Sequence, residues 1–195
     1  MKGKLVLISS PSGGGKTTII EKILEKYPDK FIYSISSTTR KPRFNEVHGK
    51  DYFFLTEPEF KKKIEQNQFL EWEKVHGYYY GTDAAFVEKC LDEGKYVLLD
   101  LDVNGALNVA KRFKDQALTI FLAPPSMDEL KKRLRNRKTD SIEEINKRLE
   151  RIPLEMEKSR QFDYIVINDQ LDKTVNQVLK IIDEMPKGMN TKIMN

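Results

Sequence analysis

The sequence predicts an α/β fold, a doubly wound parallel sheet flanked by helices and interrupted by an inserted lobe. Three observations carry that prediction. First, the stretch Ser9-Ser10-Pro11-Ser12-Gly13-Gly14-Gly15-Lys16-Thr17-Thr18 separates the apolar run Leu5-Val6-Leu7-Ile8 from a helical pattern of Ile19, Ile20, Ile23 and Leu24. Second, apolar strands alternate with helical stretches beyond residue 95, the order a parallel sheet requires. Third, residues 36–94 hold several short strands that do not alternate with helices, as a lobe set into the core would.

The elements follow in order. The first helix is stopped by Tyr27-Pro28-Asp29. Phe31–Ile35 reads as a strand that empties into the basic stretch Ser36-Ser37-Thr38-Thr39-Arg40-Lys41-Pro42-Arg43, and Asp51–Leu55 as another. Thr56-Glu57-Pro58-Glu59 has the cap, early proline and early acids of a helix start, and that helix runs to Asn67. Phe69–Thr82 is aromatic and β-like, and Asp83–Asp92 is helical up to Gly94.

Tyr96–Asp102 is apolar enough to be a strand buried on both faces, and a helix follows to Lys111. Ala117–Ala123 is the next strand. Ser126 caps a helix reaching Arg137, and Ser141 caps a second, with Glu144 in capping-box position. Pro153 is expected to kink or end that second helix. Asp163–Asn168 is the last strand and Asp172–Glu184 the last helix. The expected division is one domain: a core of residues 1–35, 95–125 and 158–185, an inserted lobe of 36–94, a helical lid of 126–157 and a loose tail of 186–195.

With 195 residues, 39% of them apolar and 33% charged, the chain is long enough for a substantial core. A net charge of +4 suits an anionic small ligand as well as nucleic acid and decides nothing alone. Cys90 is the single cysteine, so no intrachain disulfide forms, and it falls on the apolar side of its helix. No apolar run approaches the roughly 20 residues that span a bilayer. A cytoplasmic location is the expectation, with no nucleic-acid or membrane partner and a monomer or small homo-oligomer.

The glycine stretch fits a phosphate-binding loop except that Ser10 stands at its first glycine position. Backbone without Cβ atoms can curl so that successive N–H groups converge on one phosphate, and the helix behind adds its own donors. Ser12, Gly13, Gly14, Gly15, Lys16, Thr17 and Thr18 are therefore candidates for a nucleoside triphosphate, with Lys16 a charge at the outer phosphates and Thr17 a hydroxyl for Mg²⁺. Asp100 and Asp102 end an apolar strand, where ligands of parallel sheets bind. An acid there either supports Mg²⁺ or caps the next helix. Arg40 and Arg43 flank Pro42, and planar guanidiniums suit phosphate oxygens; the alternative is a solvated basic loop. Arg133 and Arg137 share a helix face, and with Arg148 they stand on the two lid helices.

Ser36–Arg43, Glu46–Tyr52, Phe69-Leu70-Glu71-Trp72, Tyr79-Tyr80-Gly81-Thr82, Leu99–Asp102, Ala123–Ser126, Ile145–Leu149 and Ile167-Asn168-Asp169 resemble guanylate kinases, collinearly from about Lys4 to Ile182. The resemblance implies a P-loop kinase-type parallel sheet core flanked by helices, an inserted mixed α/β GMP-binding lobe and a helical lid. It implies the reaction ATP + GMP giving ADP + GDP, with Mg²⁺ held through Thr17 and Asp100. It assigns the GMP phosphate to Arg40, Arg43, Tyr52 and Tyr80, and guanine to Ser36, Glu71 and Thr82, with Asp100 and Asp102 on the same side. Asn168 would lie near the ATP base.

Lys16, Arg40, Arg43, Arg133, Arg137 and Arg148 would supply the catalytic charge. Guanine offers N1–H and N2–H₂ donors that a carboxylate accepts, and adenine lacks that edge. The chain departs from the family pattern at Lys138, where a glycine is usual after the arginine, and at Arg151-Ile152-Pro153, where small helical residues are usual. Two alternatives stay open: a kinase for another nucleoside monophosphate, which would lack a guanine-reading carboxylate, and a binding module of the same fold that has lost catalysis.

Overall fold

Side chains of a strand leave alternately on opposite faces, so a continuous apolar run is stable only where both faces are covered. The first strand, β1 (Lys4–Ser9), meets that condition. In the computed structural model, which describes residues 3–136, 142–184 and 192–194, it leads through the glycine loop into α1 (Lys16–Lys26) and β2 (Phe31–Tyr33). The chain then forms β3 (Ser37–Thr38), β4 (Phe53–Phe54), α2 (Glu57–Glu65), and the hairpin of β5 (Phe69–Val75) and β6 (Tyr78–Asp83). Helix α3 (Ala84–Asp92), β7 (Tyr96–Asp100), α4 (Val103–Phe113) and β8 (Ala117–Ala123) return it to the core. Helices α5 (Met127–Arg135) and α6 (Ile142–Lys158), β9 (Tyr164–Ile167), α7 (Leu171–Asp183) and β10 (Lys192–Met194) complete it.

Six parallel strands form the main sheet in the order β10-β9-β8-β1-β7-β2. Val6 and Ile8 pack with Ile19, Ile20 and Ile23 of α1 and Val175, Val178 and Ile182 of α7. Leu5 and Leu7 face the other way, against Val87 and Leu91 of α3 and Ala106 and Val109 of α4. A third cluster joins Leu130 and Leu134 of α5 to Ile152 of α6. Cys90 is buried in the second layer, as its helical position predicts.

The expected lobe contains a separate four-stranded sheet, β4-β3-β6-β5. Its hairpin turns at His76 and Gly77, both at positive φ (52° and 87°), which matches the twist of a two-residue connection. Helix α2 begins with a full capping box between Thr56 and Glu59. Asp83 and Ser126 cap α3 and α5 through the N–H groups of Phe86 and Glu129.

Three features differ from expectation. Ser37–Thr38, read only as part of a polar, basic stretch, is a strand, because it pairs with β4 on one side and β6 on the other. Of the two outcomes expected at Pro153, a kink or an end, the end does not occur, since α6 continues to Lys158; the flanking Ile152 is buried against α5, and that packing outweighs the missing backbone donor. The tail expected to be loose contributes β10, which pairs with the otherwise open edge of β9. Ser141 and the Glu144 side chain, expected to cap α6, lie outside the described residues. Among those residues no helix is long and apolar enough to cross a membrane.

Candidate active site

The glycine loop joins the carboxyl end of β1 to α1. Gly13 and Gly15 take φ of 84° and 90°, conformations an L side chain adopts only under strain. A Cβ on Gly15 would also stand 2.6 Å from the side-chain nitrogen of Asn168. Gly14 closes an inner turn, donating its N–H to Pro11 O at 2.8 Å, and Ser10 Oγ donates to the same carbonyl at 2.9 Å. Ser10 thus has a use in the position where a glycine is usual. Its hydroxyl and carbonyl oxygens also hold Lys16 Nζ, at 3.3 and 3.4 Å.

Lys16 Nζ lies 3.6 Å from Asp100 Oδ1, at the end of β7. Thr17 and Thr18 are exposed on the first turn of α1. Asp102, two residues after Asp100, caps α4: its Oδ1 accepts the Gly105 N–H at 2.8 Å. The helix-cap alternative therefore holds for Asp102, while Asp100 faces the loop lysine.

Asn168 follows β9 and is buried. Its side-chain amide donates to Gly14 O at 2.7 Å, so it braces the loop from below. Arg133 reaches the Asn168 carbonyl at 3.3 Å and Glu129 Oε1 at 3.0 Å. Arg148 Nη1 donates to Ser12 Oγ at 2.6 Å. Helices α5 and α6 therefore both touch the loop or its brace. Arg137 lies outside the described residues.

In the lobe, Arg40 forms a bidentate pair with Glu46, at 2.9 and 2.8 Å. Arg43 donates its backbone N–H to Glu46 at 2.7 Å and brings Nη1 to 3.5 Å from the same carboxylate. Burial opposes both charges, yet the pairing keeps the Glu46 carboxyl below its usual range. Arg40 is held above its own by Glu46 and by Tyr80. The Arg40 guanidinium sits 5.4 Å from the Tyr52 ring, which meets Tyr80 edge-on at 6.1 Å. Burial first, then the charges of Asp100 and Tyr80, push the Tyr52 hydroxyl up, and Arg40 opposes the rise.

Glu71 and Thr82 meet across the β5–β6 pair, Thr82 Oγ1 donating to Glu71 Oε1 at 2.7 Å. A Cβ on Gly105 would stand 2.8 Å from Glu71 Oε2, so the absent side chain of Gly105 makes room for the carboxyl. Burial raises the Glu71 pKa to about 7; Asp102 and Glu73 add to the rise and the Thr82 hydroxyl opposes it. Ser36 is buried and precedes β3, the strand beside β6.

Three residues of the site were not singled out from the sequence. Glu46 counterbalances the arginines. Arg151 brings Nη2 to 3.3 Å from Asp102 Oδ2, and Glu155 is a buried carboxylate one turn further along α6. The spacing Arg40…Arg43…Glu46 is the one legible signal, an acid three residues after the second arginine. Arg151 and Glu155 read as an ordinary i, i+4 surface pair.

Comparison with known proteins assigns the family. A family model described as guanylate kinase matches residues 2–185. The chain belongs to the guanylate kinase family. A guanylate kinase of Thermotoga maritima is 46% identical over 182 residues, covering 93% of this chain and 87% of that protein. One from Caldanaerobacter subterraneus subsp. tengcongensis is 48% identical over 181 residues with the same coverage of each. The crystal structure of guanylate kinase from Anaplasma phagocytophilum superposes with a TM-score of 0.80 at 29% identity, over 94% of this chain and 86% of that one. The α/β fold read from the sequence is the guanylate kinase fold, and the resemblance on which the family was first named is borne out.

Proposed function

We propose that this chain transfers the γ-phosphoryl group of ATP to GMP, giving ADP and GDP. One observation supports this most: the Lys16–Asp100 pair stands at the glycine loop, and the Asp100 charge also acts on Tyr52, whose ring lies against the Arg40 guanidinium of the second anion-binding cluster. Transfer between two polyanions needs that arrangement. A nucleoside monophosphate is largely dianionic at neutral pH, its second pKa being about 6, and its oxygen attacks phosphorus without a general base. The protein supplies in-line position, neutralisation and exclusion of water.

In this mechanism the loop residues Ser12–Thr18 hold the ATP phosphates and Lys16 neutralises the outer ones. Asn168 supports the donor site through Gly14, near the ATP base. Arg40, Arg43, Tyr52 and Tyr80 take the GMP phosphate, which replaces Glu46 in the Arg40 fork or shares it. Ser36, Glu71 and Thr82 read guanine, with Asp102 alongside. Arg133, Arg137 and Arg148 bring charge from the lid of residues 126–157, and closure of that lid and the 36–94 lobe keeps water out.

Mg²⁺ fits the oxygen donors present: the Thr17 hydroxyl is exposed beside Lys16, and the Asp100 carboxylate faces that same lysine. Those two residues would hold the ion, which when bound neutralises phosphate charge. Its substrates are small molecules, with no nucleic-acid or membrane partner, and its setting is cytoplasmic. A coupled assay of ADP release with AMP, GMP, CMP and UMP as acceptors tests the reading. Turnover confined to GMP is expected, and equal or absent turnover with GMP overturns it.

A further inference from the structure

Helix α6 carries three charged residues on one face, Arg148, Arg151 and Glu155, and that face meets both halves of the site. Arg148 reaches Ser12 of the loop. Glu155 is only 5% exposed and its carboxyl faces the Ser12 N–H, Lys16 and Arg151; its Oε2 has no hydrogen-bond partner among the described residues. Arg151 stands between two carboxylates, with Nε 3.8 Å from Glu155 Oε1 and Nη2 3.3 Å from Asp102 Oδ2. One turn beyond, Lys158 donates to the Asn104 side chain in the first turn of α4. The helix thus grips the loop on one side and the N-terminus of α4 on the other.

Asp102 borders the pocket of Glu71. A Cβ on Gly105 would lie 2.8 Å from Glu71 Oε2 and 3.2 Å from Asp102 Oδ1, so the two carboxylates flank the same glycine. With Oδ1 committed to the Gly105 N–H, Oδ2 is the oxygen whose direction remains to be set, and Arg151 sets it. We propose that Arg151 is a positioning residue for the acceptor-base pocket: it orients Asp102 and balances its charge beside Glu71, while Glu155 aims Arg151 from one turn below. The proposal rests on the reading that Glu71 receives guanine.

The groups facing Glu71 can be named element by element. Thr82 comes from β6, Glu73 from β5, and Asp102 from the start of α4. From α6, Arg151 and Lys158 act on Glu73, and Arg151 pairs with Asp102. Both acids disfavour a charged Glu71, and Arg151 stands against both of those acids. Without it, Glu71 holds its proton to higher pH, and guanine meets a neutral carboxyl that accepts its two donors poorly.

The test uses the full chain with Arg151→Ala, Arg151→Lys, Asp102→Asn, the Arg151→Ala/Asp102→Asn double variant and Glu71→Gln. KM for GMP, KM for ATP and kcat are measured between pH 6 and 9. For Arg151→Ala a KM for GMP about tenfold higher is expected, with KM for ATP changed far less. The acid limb of kcat/KM for GMP should move to higher pH. Arg151→Lys should restore that limb, and Arg151→Ala should add nothing once Asp102 is Asn. A Glu71→Gln variant with impaired GMP use, beside an Arg151→Ala variant with unchanged KM and pH profile, overturns this inference alone. An unchanged KM for GMP in Glu71→Gln overturns the base-pocket reading, and this inference with it. A loss of melting temperature in Arg151→Ala with no shift of the acid limb reduces Arg151 to a structural role and also overturns it.

Discussion

Glu71 carries the sharpest consequences at the scale of single residues. Its pKa of about 7, against an ordinary 4.5, means that the ligand-free protein holds a proton there through a range in which the unfolded chain has lost it. Stability from this group is therefore greatest below about pH 4.5, falls as pH rises to about 7, and is level above. The full difference is roughly 3 kcal/mol. Denaturant unfolding of ligand-free wild type and Glu71→Gln should show the variant gaining relative stability between pH 5 and pH 8. On the proposed reading that Glu71 takes the guanine donors as an ionised carboxylate, GMP binding below pH 7 should release a proton. Calorimetry in buffers of different ionisation enthalpy reads that release, and its absence would separate Glu71 from the base.

Gly15 belongs to the same scale. At φ 90° with Asn168 beneath it, Gly15→Ala should cost about 1–3 kcal/mol of stability. Turnover should drop as well, measured by thermal unfolding and initial rates. Lys16→Ala should abolish most transfer, measured as the initial rate of ADP release, and should also lower the melting temperature, since Asp100 and the buried Glu155 lose a facing cation.

At the scale of elements, α6 is the one whose sequence argues against its structure. Pro153 removes a donor from the middle of a 17-residue helix. Pro153→Ala should raise stability by about 1–3 kcal/mol, read as a higher melting temperature. The helix persists because buried Ile152 and the partly buried Met156 are held by neighbouring elements, and because its charged face is engaged. Other elements were legible from local chemistry: Thr56 with Glu59, Asp83 and Ser126 each announce a helix start that the backbone then adopts. β3 was not legible, since two residues of serine and threonine carry no period and become a strand only when β4 and β6 flank them.

At the scale of the whole molecule, the open edge of β9 is closed by residues 192–194, at the end of the main sheet and three strands from β1. Deleting residues 192–195 should lower the melting temperature by a few degrees and leave KM for GMP and ATP unaltered. A large change in either KM would tie the sheet edge to the site. Helices α5 and α6 both reach the glycine loop or its brace, through Asn168 and Ser12, so the packing of the two helices and order in the loop are joined.

The chain by itself determined its strand–loop–helix order, the two-sided burial of β1, the phosphate loop and the acidic end of β7, because each depends on neighbours within a few residues. Family motifs extended that reading to the lobe. Only the tertiary structure decided that Asp102 caps α4 while Asp100 faces Lys16, that Glu46 occupies the arginine fork, that Asn168 holds Gly14, and that Arg151 and Glu155 point inward. Those outcomes depend on which surfaces meet across long sequence separations, and neither residue spacing nor composition encodes a meeting that packing alone brings about.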